Sequence, residues 1–523
     1  METKGVFLRK ATGLVREAGL VDVLTLNIFN MSVGFTVMYI TMWGPISYPG
    51  GDLVTGTILC SIIGIILALG WAILGISVPR SGGVYVPVSR ILHPVLGFAA
   101  GVSLFLLNFI WVGSFAAYVA DPCLTTYFHL IGWEDLANFI ATPEGMILIG
   151  TVANILGLLV IIRGTRPYLR FQTIMNLFAI ATGFLVVAIL FSAGHSGFVA
   201  RFDEVSAKWG SPSYQQIIDI AQTDMGGFPA FNLQATLGIM PVAFWGFGFA
   251  YMASFIAGEI KEYRRNILWG QIGSVLLTVA LVVLMVQAIS SVMGYDFLLS
   301  VVYVWDGGLG YNLPFEPNYI ALTSMLTDNP ILVFTMILGL IWWAFGFIPL
   351  ILLENSRMAL AWAFDRLVPS WLADVDDRLH TPVKGLLFLT VIGEIGVVVY
   401  AYYIGFLGTL STTIGEALTN MLFMAIAVML FPVLARVGYI WKQSPLNRWG
   451  WKCSAVGAAC IAGLAIVVYY FMTNEGLGEW QMPSLLLSLG VFLSGVVWFA
   501  GAYYYRRRQQ IDIMLAYKLL PPE

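Results

Sequence analysis

The stretch FWGFGFAYMASFIAGEIKEYRRN, residues 244–266, combines an apolar run with features that oppose a continuous helix. Gly246 and Gly248 fall inside the run, although glycine favours helix less than most residues do. A helix break in hydrocarbon leaves backbone groups unbonded, at a cost on the order of several kcal/mol each unless a cavity or ligand satisfies them. Lys261, Arg264 and Arg265 then indicate an end at the cytoplasmic face. We therefore expect a broken membrane helix that forms a binding site.

The composition excludes a soluble globular protein. Of the 523 residues, 59% are hydrophobic and 11% are charged, which is typical of a polytopic helical membrane protein in a lipid bilayer. The four cysteines lack paired metal spacing, and the four histidines fall at span ends or in loops. The sequence shows no combination of a nucleophile with a general base that would indicate an enzyme. We expect no cofactor, no metal and no nucleic-acid partner.

Twelve apolar segments are long enough to cross a bilayer, since about 20 helical residues span its core. They lie near residues 21–46, 53–77, 95–120, 145–162, 171–192, 237–260, 267–293, 330–355, 385–404, 409–435, 453–472 and 484–505. The sequence therefore predicts an all-α polytopic membrane protein with twelve transmembrane helices.

Lysine and arginine are distributed unevenly between the two sides of these segments. With the N-terminus inside, all but two of the 26 Lys and Arg residues fall on the cytoplasmic side, the exceptions being Arg201 and Lys208. Cytoplasmic loops of membrane proteins carry such an excess. We therefore predict a multi-pass protein of the cell (plasma) membrane with both termini in the cytoplasm, and we expect the first span to be retained rather than removed as a signal peptide.

The first span contains a polar interruption like that of the sixth. Asn27, Asn30, Ser32 and Gly34 lie near its middle, between apolar flanks. Alone, such residues could bond to their own helix or allow close helix packing. Two interrupted spans that are five spans apart are, however, what an inverted repeat of five plus five helices requires, with the substrate between the breaks.

The predicted organisation follows from this five-plus-five inverted repeat, with helices 1 and 6 broken at mid-membrane and two further C-terminal helices. The outer segments are rich in Gly, Pro, Asn and Asp, so we expect loops there with short surface helices. The predicted segments are a cytoplasmic N-terminus (1–20), a first repeat (21–192), an extracellular loop (193–236), a second repeat (237–435), the last two spans (436–505) and a cytoplasmic C-terminus (506–523).

Three stretches resemble the amino acid-polyamine-organocation (APC) superfamily of permeases. The stretch PRSGGVYVPVSRILHPVLGF (79–98) is similar to the family's proline, double-glycine and tyrosine pattern, and residues 244–266 to its aromatic break with an acidic and basic ending. The stretch SRMALAWAFDRLVPSWLADVDDRLHTPV (356–383) resembles its arginine, aspartate and threonine-proline signature. The resemblance implies a LeuT-type fold and a secondary active transporter, a permease or exchanger, that moves amino acids by alternating access.

The resemblance also implies a substrate site at the two breaks. N–H groups after the first break would bind the substrate carboxylate, helped by the helix dipole, and carbonyls before the second would bind its ammonium. Trp245 aligns with the family's capping aromatic and could add a cation–π contact; alternatively it is a packing or lipid-facing aromatic. The predicted substrate-binding residues are Asn30, Ser32, Val33, Gly34, Phe35, Phe244, Trp245, Gly246, Phe247 and Gly248.

Acidic and hydroxyl side chains in the ninth and tenth spans suggest a further role. In the tenth span, polar residues recur at three- and four-residue spacing and so share one helical face. An ionisable residue at membrane depth is expected to be functional. We predict that Glu416, Thr412 and Glu394 serve selectivity or proton coupling, with a structural hydrogen bond as the alternative for each carboxylate.

Two other carboxylates, Glu259 and Glu354, fall near predicted cytoplasmic helix ends beside Lys261 and Arg357. Ordinary ion pairing is the expectation for them. Ala179 stands where some proton-coupled relatives have a lysine, and the eighth span lacks the Ser/Thr pair of sodium-coupled members. The coupling ion, proton or sodium, therefore stays open, as do pure exchange and the oligomeric state.

Two other functions compete with amino acid transport. A polyamine or other organic-cation permease is favoured by Glu416 and by the acidic outer loops, which could attract cationic solutes. A non-transporting membrane receptor or complex subunit would bind a small-molecule amino acid or amine without moving it.

Overall fold

A computed structural model of the protein describes residues 13–404, 408–434 and 437–521. Over these residues the chain is helical and has no β-strand beyond one parallel bridge between Ala18 and Ile260. Twelve segments are long and apolar enough to cross a membrane, which confirms the predicted class and number of spans. They are TM1 (Leu20–Ser47), TM2 (Leu53–Ser77), TM3 (Pro94–Leu130), TM4 (Pro143–Ile161), TM5 (Thr165–Lys208), TM6 (Leu233–Ser254), TM7 (Tyr263–Met293), TM8 (Pro330–Phe364), TM9 (Val383–Tyr403), TM10 (Ser411–Leu430), TM11 (Trp451–Met472) and TM12 (Gln481–Arg508).

Several spans contain more than one helix. TM1 comprises Leu20–Met31 and Val33–Ser47, TM3 comprises Pro94–Tyr118, the π-helix Val119–Leu124 and Thr125–Leu130, TM6 contains Leu233–Gly238 and Met240–Phe247, and TM8 comprises Pro330–Phe345 and Phe347–Phe364. TM9 is Val383–Val399 with the π-helix Tyr400–Ile404, TM10 is built from Gly408–Glu416, the π-helix Ala417–Met421 and Leu422–Leu430, and the helix of TM12 begins at Gly478.

Short helices connect the spans. The α-helices among them are Tyr85–Ile91, Glu134–Ala141, Tyr214–Asp224, Tyr295–Asp306, Tyr319–Ser324 and Gly438–Gln443. The 3-10 helices outside the spans are Ala257–Glu259, Ser370–Ala373, Asn447–Trp449, Glu475–Leu477 and, after TM12, Ile513–Lys518, while Met252–Ser254 is the last turn of TM6.

TM1 and TM6 lie in the interior of the helix bundle. In each of them 89% of the most apolar window is buried, against 17% in TM12. The outer helices instead expose large apolar side chains such as Ile174, Leu276 and Leu486, which suits contact with lipid. Protein therefore surrounds the two spans predicted to be broken, as an interrupted backbone at membrane depth requires.

Some predicted boundaries differ from the structure. The TM5 helix is interrupted at Gly194 (φ 63°, ψ 179°), close to its predicted end at residue 192, and a further helical stretch follows to Lys208. Part of the predicted outer loop is therefore helical. TM8 extends nine residues beyond the predicted end at 355, with its polar residues buried against neighbouring helices rather than in solvent.

Parts of the predicted organisation fall outside the described residues. These are residues 1–12 of the predicted N-terminus, residues 435 and 436 around the end of the tenth span, residues 522 and 523 of the predicted C-terminus, and the side chain of Thr409. The segment boundaries and the inverted repeat stay predictions.

Two buried ion pairs join elements on the predicted cytoplasmic side. Glu259, just after TM6, receives two hydrogen bonds of 2.9 Å each from the Arg357 guanidinium of TM8. Arg90 lies 2.7 Å from Asp365, and the ring of Tyr517 covers its guanidinium at 4.8 Å. The side chains of both pairs are at most 1% exposed, so this end of the bundle is closed.

Candidate functional site

TM1 is interrupted at Ser32, within the polar stretch that the sequence singles out. Ser32 adopts φ 43° and ψ 80°, in the left-handed region, between helices Leu20–Met31 and Val33–Ser47. Such a conformation costs about 1–2 kcal/mol in a residue with a side chain. The Thr36 hydroxyl donates to the Met31 carbonyl oxygen (2.7 Å) across the interruption and helps to hold it. The Ser32 hydroxyl is buried and has no hydrogen-bond partner.

TM6 loses its α-helical conformation at the predicted glycine-rich stretch. Its helix ends at Phe247, and no α-helix follows until Tyr263. Gly246 lies so close to TM1 that an added Cβ would be 2.3 Å from Thr36 Oγ1. The second half of the span is therefore a series of turns and 3-10 helices, and glycine is required where TM6 contacts TM1.

The two interruptions are joined to each other by hydrogen bonds. The Asn30 side-chain amide donates to the Phe249 carbonyl oxygen at 2.8 Å. The Ala253 N–H donates to the Asn27 side-chain oxygen at 3.4 Å. Two asparagines of TM1 thus satisfy backbone groups that the break in TM6 leaves without helical partners.

A cavity lies beside this junction. It has an empty volume of about 320 Å³ between its lining atoms, but they leave room for only about one water molecule. The site is therefore nearly closed, and the lining must move to admit a larger solute. TM1, TM3, TM6, TM8 and TM10 contribute its lining, which consists of Asn30, Asn108, Trp111, Phe115, Trp245, Phe249, Tyr251, Phe347, Ile351, Glu354 and Glu416.

Aromatic rings form most of the wall. Trp245 stacks on Tyr39 of TM1 with centroids 3.9 Å apart and meets Trp111 edge-on at 4.8 Å. Phe115 and Phe347 stack at 3.8 Å. The Trp245 ring thus contacts both TM1 and TM3, in a position to cover a bound solute.

The cavity contains two carboxyl groups, and both oxygens of Glu416 accept hydrogen bonds. One oxygen accepts from Trp111 Nε1 at 2.5 Å and the other from the Tyr251 hydroxyl at 3.0 Å. The side chain is fully buried. The predicted polar face of TM10 therefore places this carboxylate in the cavity, held from TM3 and TM6.

Glu354 is the second carboxyl group, and the expected ion pair with Arg357 is wrong for it. Arg357 bonds to Glu259 instead and to the Thr165 hydroxyl at 2.7 Å. Glu354 is 1% exposed, and its Oε1 has no hydrogen-bond partner. Its position one turn before Arg357 directs it to the centre of the bundle rather than to the predicted cytoplasmic end.

Three of the predicted site residues line this cavity together, namely Asn30, Trp245 and Glu416. Val33 and Gly34 line a separate apolar cavity beside Trp343, with an empty volume of about 400 Å³. Ser32 lies between the two groups in sequence. The predicted substrate residues of TM1 thus divide between two cavities.

The other predicted residues of TM1 and TM6 pack around the break. Phe35 stacks on Tyr118 of TM3 at 5.1 Å. The Phe244 ring occupies the space beside Gly248, where an added Cβ would lie 2.8 Å from it. Phe247 contacts TM2 closely, as Gly246 contacts TM1. These five residues, Phe35, Phe244, Gly246, Phe247 and Gly248, shape the break without forming the cavity lining.

Glu394 and Thr412 lie outside the lining. Glu394 accepts hydrogen bonds from the Thr151 hydroxyl and from Asn154 Nδ2 (3.1 Å), and so links TM9 to TM4. Thr412 is buried in TM10. The geometry of Glu394 favours the alternative of a structural hydrogen bond.

Sequence reasoning missed Glu354, Tyr251, Trp111 and Asn108 as cavity residues. Glu354 and Asn108 are polar residues in apolar spans, a signal that could have placed them in the interior. Trp111 and Tyr251 carried no such signal, because aromatic residues are common throughout these spans. Their role depends on which helix faces meet.

A comparison with protein families matches most of this chain. The family model described as amino acid permease matches residues 23–494. The match includes every residue of the cavity lining.

Proposed function

Since the chain belongs to the amino acid permease family, and is thus a multi-pass membrane transporter of amino acids rather than an enzyme, we propose that it moves its substrate by alternating access through the cavity beside the two breaks. One observation carries this proposal. Asn30 and Phe249, which bond to each other across the two interruptions, both line the cavity. A solute there would contact exposed backbone of both helices, as in transporters with broken helices.

The substrate's two charged groups would bind at different ends of this site. The first N–H groups of a helix lack intrahelical partners, so those of Val33 to Phe35 suit a carboxylate, together with the unpartnered Ser32 hydroxyl. None of these four residues lines the cavity in this structure, so the carboxylate would reach them only after the lining moves. The ammonium would face the carbonyl region of Phe249 and the carboxyl groups of the cavity. Trp245 would cover the bound molecule.

Transport requires the closed site to open at each side in turn. On the predicted outer side the Trp245 and Tyr39 rings must separate. On the predicted inner side Glu259 and Arg357 close the bundle with a buried ion pair. The lining leaves room for about one water molecule, so a larger solute can bind there only when the lining moves.

Polyamine or other organic-cation transport is the second candidate. The cavity contains Glu354 and Glu416, and none of its described lining residues is Lys, Arg or His. Two acidic groups within an aromatic wall favour a cation. Competition by 1,4-diaminobutane against the transported amino acid would separate the candidates: complete inhibition with uptake of the diamine itself would favour the organic-cation function.

Uptake into proteoliposomes tests the proposal. The purified protein would be supplied with a panel of amino acids and amines, with and without proton and sodium gradients. Accumulation above protein-free liposomes is expected for at least one amino acid. Binding without uptake would instead indicate a non-transporting receptor or subunit.

A tryptophan pair tests the position of the site. Trp245→Ala should abolish uptake by the protein that remains folded, because the covering ring is needed for closure, although loss of this buried ring also lowers the thermal midpoint. Trp269→Ala is the matched control, since Trp269 is 57% exposed on the outer surface of TM7. Full uptake by folded Trp245→Ala would place the substrate elsewhere.

A further inference from the structure

We propose that Glu354 holds a proton while the cavity is empty, and that an ammonium group of the substrate displaces this proton when it binds. The inference rests on the proposed site, but it names a residue and an exchange that the function alone does not require. It differs from the expectation for Glu416, because the two carboxyl groups have different partners.

The partners of Glu416 favour its ionised form. The Trp111 Nε1–H can only donate, and the Tyr251 hydroxyl donates to the second carboxylate oxygen. Hydrogen bonds to an ionised acceptor are roughly twice as strong as neutral ones. Of the two carboxyl groups in the cavity, Glu416 is therefore the one that ionises more readily.

The surroundings of Glu354 do not support a second charge. Its Oε1 has no partner, and the side chain is 1% exposed. The Asn108 amide donates to Asn355 at 2.8 Å and also hydrogen-bonds to the Glu354 carboxyl group, which leaves Oε1 without a donor. An ionised oxygen without donors in this interior would cost several kcal/mol, whereas a neutral acid leaves one O–H to bond.

Among the described residues that line the cavity, no positive charge offsets that cost. Among the described lining residues, TM10 brings Glu416 and TM6 brings Tyr251, while TM1 and TM3 bring no titratable group. Arg357, one turn further along TM8, is occupied by Glu259 and Thr165. Two carboxyl groups that share a site do not both ionise readily. The pair therefore shares one proton, and it resides on Glu354.

A substrate ammonium can replace this proton without changing the total charge of the pair and its cation. The neutral acid releases H⁺ to the water on the open side, and its carboxylate then bonds to the ammonium. No covalent bond other than the acid O–H is broken, and no electrons are transferred. The aromatic wall around Trp111 and Trp245 suits the incoming cation.

Infrared spectroscopy of the purified, ligand-free protein tests where the proton resides. Burial raises the pKa of Glu316 to about 8, so wild type at neutral pH should show the C=O stretch of that protonated acid beside the stretch of Glu354. Glu354→Gln should lose one component of this band. Glu134→Gln, which removes an exposed carboxylate outside the spans, should retain it. An unchanged spectrum in Glu354→Gln would overturn the proposal.

Conservative variants distinguish the two acids of the pair. Glu354→Asp keeps an acid and should shift the stretch, whereas Glu416→Asp should leave its frequency unchanged. The opposite pattern would place the proton on Glu416 and overturn the assignment. If Glu354→Gln does not fold, Glu354→Asp and Glu416→Asp still show which of the two acids holds the proton.

A second measurement follows proton release in weakly buffered solution when lysine, 1,4-diaminobutane or leucine is added. Binding of any of them should release about one proton per molecule bound and remove the stretch of Glu354. Binding without release would overturn the displacement step, as would failure of all three to bind. Uptake tests the proposed function separately, since transport without proton release would leave that function intact and reject only this exchange.

Discussion

Removal of one partner of the ion pair between Glu259 and Arg357 should strongly destabilise the folded protein. The pair is bidentate, because Arg357 Nε and Nη2 each donate to a different oxygen of the Glu259 carboxylate at 2.9 Å. Both side chains are at most 1% exposed. Removing one partner of a buried pair costs about 3–5 kcal/mol, because it leaves the other charge buried. We expect this loss in Arg357→Met.

The double variant Glu259→Gln with Arg357→Met should recover most of that loss. A neutral Gln can still bond to the Thr165 hydroxyl, which donates to the carboxylate at 2.9 Å, and no charge remains buried. Thermal unfolding in detergent, followed by tryptophan fluorescence, should give the order wild type, double variant, single variant. Arg170→Met removes an exposed arginine nearby and should change little. Equal midpoints for the single and double variants would refute the idea that the unpaired charge of Glu259 causes the loss of stability in Arg357→Met.

Three further changes test other parts of the structure. Gly34→Leu should abolish substrate binding, because even its Cβ would lie 2.4 Å from Trp343 Cδ1; unchanged affinity in a binding assay would contradict a site at this break. Glu416→Gln should weaken the binding of cationic substrates at every pH while neutral amino acids are less affected, and identical selectivity would argue for a purely structural hydrogen bond. Burial raises the pKa of Glu316, between the spans, from 4.5 to about 8. The folded protein therefore favours the protonated form of Glu316. The contribution of this group to stability is fully present below about pH 4.5 and is lost as the pH rises through about 8. Glu316→Gln should therefore flatten the decline of the thermal midpoint over that pH range.

The spans and both interruptions could be predicted because the bilayer imposes simple rules. A helix needs about 20 apolar residues to cross, and glycine or asparagine within such a run is conspicuous. Ser32, where TM1 is interrupted, and Phe247, where the TM6 helix ends, both lie inside the predicted segments. The helical stretch between Gly194 and Lys208 could not be predicted in the same way, because it lies beyond the apolar run.

The cavity lining was harder to predict, because it depends on how helices rotate about their axes. Glu354 and Arg357 are three residues apart on one helix, and such neighbours commonly pair. The sequence contains no sign that Arg357 turns to Glu259, about 100 residues earlier in the chain, and so leaves Glu354 for the cavity. Trp111 became recognisable only through its contact with Glu416.

The bond from Asn30 to the Phe249 carbonyl also bears on how the protein is made. The two residues are 219 positions apart, so TM1 leaves the ribosome long before its partner exists. A buried amide is costly in hydrocarbon until it finds an acceptor, and TM1 must meanwhile remain beside water, an insertion factor or another helix. Replacing Asn30 with Leu would ease the early entry of TM1 into the bilayer, yet it would leave the Phe249 carbonyl without its donor in the finished molecule. One residue thus sets opposite demands on biogenesis and on the mature fold.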